Sequence, residues 1–241
     1  MQQALNLPVS PRYDFASFVS CTGNATALEF AKRLVEPCAG EHLLYLYGPS
    51  GCGKTHLLRA MGHCLDAPVI SCKEFTTLDA GGELFLEKQD TLPALLVDDL
   101  HDLPAAPAVR QALWESFNRF HTAGLPIVLT AHIPPRELNN LDDHLISRLL
   151  WGLVARLDVR DDTSRRMLIA KLAADRQILL PDEVATWLLT VLPRDVGSLV
   201  AACETLYRAA LEQKRRITMR LARELFTPPP CAGQKGLQPA S

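Results

Sequence analysis

The sequence predicts an α/β fold, a three-layer and mostly parallel five-stranded sheet followed by a small all-helical unit. Three observations predict it. Up to about residue 160, short apolar runs alternate with helix-length amphipathic stretches, the pattern of strands joined by helical crossovers in a parallel sheet. Between the first such run and the next helix lies GPSGCGKT, Gly48 to Thr55. It fits G-x-x-x-x-G-K-[ST], a loop that cradles phosphates between a strand and a helix. Beyond residue 160 no strand is convincing and helical periodicity takes over.

Residues 1–14 are polar and proline-broken and read as a flexible arm. A helix follows at 25–35, with Leu28, Ala31, Leu34 and Val35 on one face and Asn24 as its N-cap. LLYLY at 43–47 reads as a buried strand, and HLLRAMGHCL after the glycine-rich loop reads as a helix. Val69–Ser71 and Ala94–Asp98 have strand character. The stretch 107–123 reads as a helix, opened by Pro107, with Leu113, Phe117 and Phe120 spaced for one face. IVLTA at 127–131 and the run Leu153–Leu157 complete five strands. Helices are then expected at 163–175, 182–191, 195–213 and 218–226. Asp162 or Thr163, Asp182, Asp195 and Thr218 are their caps or first-turn residues. The chain therefore divides into an arm at 1–14, an α/β domain at 15–160 and a helical domain at 161–226. The proline- and glycine-containing stretch 227–241 is expected to be disordered.

The composition, 48% hydrophobic and 22% charged, is that of a soluble globular chain. A formal net charge of −2 argues against a strongly electrostatic nucleic-acid binder. The seven cysteines are scattered and form no CxxC pair, which suits a reducing cytoplasm better than a disulfide framework or a zinc site. No export signal and no membrane span are expected. His42, His56, His63, His101 and His121 show no ligand spacing, so no metal beyond Mg²⁺ is assigned.

The glycine-rich loop specifies its chemistry. Gly48, Gly51 and Gly53 allow tight positive-φ turns that aim backbone N–H groups inward, with Pro49, Ser50 and Cys52 between them and His56 just after. The helix beginning near Lys54 adds its positive dipole end. Lys54 would reach the outer phosphates, and the Thr55 hydroxyl would be a ligand to Mg²⁺. ALLVDDL places Asp98 and Asp99 at the end of an apolar strand. There Asp98 can hold the metal opposite Thr55, and Asp99 can polarise the attacking water. ATP or ADP with Mg²⁺ is the expected cofactor.

At this point the chain resembles a family. FASFV at 15–19 with Asn24, GPSGCGKTHLL, LLVDDL, IVLTAHIPPREL at 127–138 and LISRLLWGL at 145–153 follow one another as in DnaA-like replication initiators. PPREL followed by SRLxxGL marks the initiator branch of the AAA+ ATPases. The resemblance covers residues 13 to about 226 and implies an AAA+ phosphate-loop NTPase core followed by a helical lid. It implies that Arg148 is an arginine finger, presented to the γ-phosphate on a neighbouring subunit, where a fixed bidentate cation suits phosphate oxygens. A homodimer or homo-oligomer through the Arg148 face is one consequence. Three departures stand out. The strand-end sensor position is His132, with Thr130 as a nearby polar substitute. The lid position expected to carry a phosphate-touching arginine is Gly197, with Arg194 as a candidate compensator. A basic residue expected before the finger is His144. Slow intrinsic hydrolysis is the expectation.

The resemblance also bears on partners. Initiators of this family continue into a helix-turn-helix domain, and residues 227–241 cannot form one, so direct duplex DNA recognition is not expected. The segment between Phe75 and Asp98 reads as shorter than the initiator's. Gln3, Leu5 and Leu7 resemble the short peptides that dock on the bacterial sliding clamp. The combination is similar to the Hda family, regulators that inactivate DnaA with the help of the clamp. Three functions stay open: a cytoplasmic regulator promoting hydrolysis of DnaA-bound ATP, an ATP-dependent helicase-loader-like or single-strand-binding accessory, and a non-catalytic nucleotide-bound adaptor. The basic run Lys214, Arg215, Arg216, Arg220 and Arg223 reads as a solvated helix end.

Overall fold

Five short strands form one parallel sheet: β1 (Leu43–Tyr47), β2 (Val69–Ser71), β3 (Leu95–Asp98), β4 (Ile127–Ala131) and β5 (Leu153–Arg156). The computed structural model describes residues 13–36, 40–73, 92–175 and 179–226. The strand order is β2-β3-β4-β1-β5, and every pairing is parallel. Parallel neighbours cannot be joined by a tight turn, so helices cross over the sheet faces. All of β3 and β4 and nearly all of β1 are buried, as continuous apolar runs covered on both faces should be.

Alternate residues serve the two faces. On one, Leu44, Leu46, Leu96 and Val128 pack with α1 (Ala25–Leu34) and α2 (Lys54–Leu65). On the other, Tyr45, Leu95, Val97 and Leu129 pack with α3 (Pro107–Thr122) and α4 (Asp143–Leu149). The strands lie where the sequence places them, within a residue at each end. Helix α4 is the element the sequence leaves unassigned. At seven residues it is too short to show a periodic pattern, and Leu145 and Leu149, with Ile146 half-buried beside them, anchor it.

Four further helices, α5 (Asp162–Asp175), α6 (Asp182–Val191), α7 (Val196–Glu212) and α8 (Met219–Phe226), share a separate small core. Ile169, Val184, Leu188, Leu199, Leu206 and Ala222 form it. The Asp195 carboxylate caps α7 by accepting from the Ser198 N–H at 2.8 Å, and Thr218 Oγ1 accepts from Leu221 N–H at 3.3 Å. The cap of α5 is Asp161, whose Oδ1 accepts from Ser164 N–H at 2.8 Å, rather than Asp162 or Thr163. Asn24 stands at the N-cap position of α1 but does not cap it. Its amide instead accepts from Cys21 N–H at 2.8 Å and donates to the Val19 carbonyl at 2.9 Å, pinning the incoming loop. Arg165 is fully buried in the helical unit and donates to the carbonyls of Leu189 and Pro193 at 3.0 Å each. Among the described residues no helix is long and apolar enough to cross a membrane.

Candidate nucleotide-binding site

The phosphate loop turns directly from β1 into α2. Gly51 and Gly53 have φ of +75° and +104°, conformations that side-chain-bearing residues rarely adopt. Close approach reinforces the requirement. A Cβ on Gly53 would lie 2.9 Å from the Phe18 ring, and one on Gly51 would lie 2.9 Å from the Gly197 backbone nitrogen. Gly197, in the first turn of α7, thus brings the helical unit against the loop, and Val196 packs on the sheet-side core. Lys54 is buried and folds back along the loop, donating to the carbonyls of Gly48 at 2.8 Å and Pro49 at 3.0 Å.

The sheet delivers the acidic side of the site. The β3–β4 pairing sets the carboxyl-terminal ends of the two strands side by side. Asp98, 6% exposed, receives a hydrogen bond from Thr55 Oγ1 at 2.8 Å on Oδ2 and one from Thr130 Oγ1 at 2.5 Å on Oδ1. Thr130 Oγ1 in turn accepts from the Asp99 N–H at 3.0 Å. Burial of a polar carboxylate is tolerated when both of its oxygens are hydrogen-bonded. Asp99 sits in the left-handed region at φ +56° and starts the 3₁₀ turn Leu100–Asp102. That turn aims its carboxylate at Lys73, 2.7 Å away, and toward His132 at 4.0 Å. Burial alone would raise the Asp99 carboxyl, but the Lys73 bond and charge, with His101 and His132, hold it below the usual range. His132 is pushed below its ordinary value, first by burial and then by Lys54 and His101, against the opposing pull of Asp99 and Asp102.

Other expected site residues are placed differently. His56 is not in the phosphate cradle. Its Nε2 lies 3.0 Å from the Asp14 carbonyl and 3.3 Å from Ser17 Oγ, and its ring meets Tyr13 and Phe18 edge-on. It fastens the 13–18 segment to α2, and burial keeps its pKa below the ordinary value. Arg194 is exposed, with its guanidinium at Asp162 (3.3 Å) and the Arg160 carbonyl, so its contacts are on the helical unit and not on the loop. Arg148 lies over the Trp114 ring at 4.6 Å and the Trp151 ring at 5.5 Å, and donates to Asn118 Oδ1. None of these partners belongs to the phosphate loop, and Trp151 is 63% exposed. Gln3, Leu5 and Leu7 lie outside the described residues, as does most of the segment from Phe75 to Asp98. His101, which shows no ligand spacing along the chain, stacks its ring on His132 with centroids 3.8 Å apart.

A phosphate loop closing on a parallel 2-3-4-1-5 sheet, an acidic strand end behind it and a helical unit resting on the loop define an AAA+ phosphate-loop protein. Within that class the chain belongs to the bacterial DnaA ATPase-domain family, whose model matches residues 9–156. Residues 161–226 match the lid domain of Hda. The chromosomal replication initiator DnaA of Leifsonia xyli subsp. xyli is 29% identical over 205 residues, 79% of this chain and 43% of that protein. The chain thus spans less than half the length of the curated relatives it matches. Domain III of DnaA from Thermotoga maritima superposes with a TM-score of 0.79 at 27% identity, over 92% of this chain and all of that one. A replication initiator DnaA bound to AMPPCP and single-stranded DNA gives a TM-score of 0.73 at 24% identity, over 85% of this chain and 68% of that one.

Proposed function

We propose that the chain is an adenine-nucleotide-binding regulator of replication initiation, one that promotes hydrolysis of ATP held by DnaA. The observation that carries this reading is the sequence of two matches, a DnaA ATPase domain followed directly by the lid of Hda. ATP or ADP would lie along the loop from Gly48 to Thr55, its phosphates met by the amides of Ser50, Gly51, Cys52 and Gly53. Lys54, held by the Gly48 and Pro49 carbonyls and more weakly by Cys52 Sγ at 3.9 Å, would turn the proton it gives the sulfur to an outer phosphate. Thr55 and Asp98 offer hard oxygen donors, the set that suits Mg²⁺. Asp98, whose oxygens accept from Thr55 and Thr130, would be the carboxylate that holds the ion beside the phosphates. Mg²⁺ would neutralise phosphate charge. Asp99, whose carboxyl Lys73 holds below the usual range, would accept a proton from the attacking water.

Arg148 is the residue that would act on the partner. It exchanges the faces of Trp114 and Trp151 for phosphate oxygens on DnaA, a gain because bidentate guanidinium–phosphate bonds are charge-assisted. The exposed Trp151 beside it supplies an apolar anchor for docking. Gln3, Leu5 and Leu7 would tether the chain to the DNA polymerase sliding clamp in the cytoplasm.

The test is hydrolysis of ATP preloaded on the same organism's DnaA, with this protein and DNA-loaded clamp added or omitted in turn. Acceleration only when both are present supports the reading. Arg148→Ala is expected to abolish that acceleration, worth up to several powers of ten for a finger supplied in trans, with nucleotide binding unchanged. Acceleration retained by Arg148→Ala sinks the finger assignment, and no acceleration at all redirects the search to helicase and single-strand partners.

A further inference from the structure

Beside the phosphate loop the fold gathers a second donor set. Asp99 and His101 come from the turn after β3, and His132 from the end of β4. One ligating atom from each lies within 4.8 Å of the others. We infer that Asp99, His101 and His132 form a site for a divalent transition-metal ion of the zinc class, separate from the oxygen donors Thr55 and Asp98.

Four features argue for it. The donor set is two imidazoles and one carboxylate, which suits zinc, cobalt and nickel, whereas Mg²⁺ takes oxygen. His101 Nδ1 is buried with no hydrogen-bond partner among the described residues, and its Nε2 lies 3.6 Å from Asp102 Oδ2. Buried imidazoles normally satisfy their nitrogens, and a carboxylate behind a histidine is the usual support of a metal ligand. Lys73 holds Asp99 Oδ2, while His132 faces Oδ1 at 4.0 Å, so an ion can use Oδ1 without displacing the lysine. The His132 side chain is 38% exposed, which gives an ion access and room for water ligands.

Tetrahedral bonds of about 2.0–2.2 Å set donors roughly 3.5 Å apart, so donors now within 4.8 Å of one another must draw in, and the stacked His101 and His132 rings, with centroids 3.8 Å apart, must splay so that one nitrogen of each points at the ion. The consequence is regulatory. An ion on Asp99 removes the carboxylate from the attacking water, so that bound zinc slows turnover of ATP on this chain. This consequence, unlike the site itself, rests on the assignment of Asp99 in the proposed function.

The experiment titrates the full chain with Co²⁺ in excess Mg²⁺, with and without ADP, and reads visible absorption and stoichiometry, followed by displacement with Zn²⁺. One Co²⁺ per chain with low-symmetry visible bands is expected. His101→Ala and His132→Ala are each expected to weaken binding at least about tenfold, since losing a ligand costs more than losing its support. His101→Asn and His132→Asn repeat the test should an alanine variant unfold, and a His63→Ala/Cys64→Ala control is expected to bind as the parent does. Unaltered Co²⁺ spectra in the His101 and His132 variants overturn the site. A parent chain that binds ADP but takes up no Co²⁺ overturns it as well and leaves the nucleotide reading standing. Co²⁺ uptake by a chain that cannot bind ADP overturns the nucleotide reading alone.

Discussion

The two sides of the candidate cleft are built by different means. On the sheet side, Thr55, Asp98 and Thr130 come from three elements and meet in one buried hydrogen-bonded chain. Parallel register fixes them before any ligand arrives. On the helical side, the contact with the loop is backbone at Gly197, and Arg194 turns its guanidinium to Asp162 instead. On the proposed reading, the difference teaches that holding phosphates and reporting on them are separable: the sheet side would carry the binding chemistry, and the helical side supplies a surface whose own cohesion rests on Arg165 and an apolar core.

The comparison breaks most sharply at Arg165. Its guanidinium is fully buried and ties the carbonyl end of α6 and the following turn, at Leu189, Leu192 and Pro193, to α5. Arg165→Ala leaves those carbonyls without their donor, and each buried acceptor left unsatisfied costs about 1–3 kcal/mol. Chemical denaturation of the full chain should then show the helical unit melting first, with the α/β transition unmoved. A single, uniformly shifted transition would mean that the two units do not fold independently. The exposed Arg194–Asp162 pair is a control, and Arg194→Ala should cost no more than about 0.5 kcal/mol.

Lys54→Ala comes next in size and probes the other side. On the proposed reading it removes charge-assisted bonds to phosphate worth about 1.5–3 kcal/mol, a loss of affinity of roughly ten- to a hundredfold. Fluorescent ADP titration measures it. Arg194→Ala in the same assay should change affinity less than about twofold. If the two variants weaken binding equally, the separation between the sides is wrong.

Much of this asymmetry was legible in the sequence, for reasons that differ by residue. The five apolar runs and the spacing of Gly48, Gly51, Gly53 and Lys54 are local patterns, and the structure returns them as β1–β5 and the loop. Asp98 was readable because it ends such a run. The partnership of Asp98 with Thr130, and of His101 with His132, was not, because it arises from β3–β4 pairing between stretches distant in the chain. His56 looked like part of the loop by adjacency alone. Its direction is set by the helical turn it occupies, which points it at Asp14 and Ser17. Burial of Arg165 left no trace, since a charged residue in an amphipathic helix reads as solvated.

The smallest expected effect belongs to a histidine pair at the amino-terminal end of the central strands, opposite the phosphate loop. His42 Nε2 and His121 Nδ1 are 2.8 Å apart, so one donates and the other accepts, and a second proton cannot be accommodated between them. Burial first, and then His121, lower the His42 pKa from its ordinary 6.5. A histidine depressed in the folded state binds protons more readily when unfolded. Its contribution to stability is therefore complete above pH 6.5 and is lost as pH falls from there through the folded value. Because the pair is partly open to water, the loss should stay under about 1 kcal/mol. Both histidines lie on the α/β unit, so acidification should shift its denaturation midpoint and leave that of the helical unit unchanged until carboxylates protonate. His42→Gln should flatten the slope between pH 6.5 and the carboxylate range. A slope that persists in His42→Gln would assign the pH dependence to His56, against the 13–18 segment, or His132, beside Asp99, which are depressed in the same direction. Stability would then be coupled to the surroundings of the loop rather than to the amino-terminal end of the central strands, and added ADP, by binding the folded chain alone, would raise the midpoint without altering a slope that His42 owns.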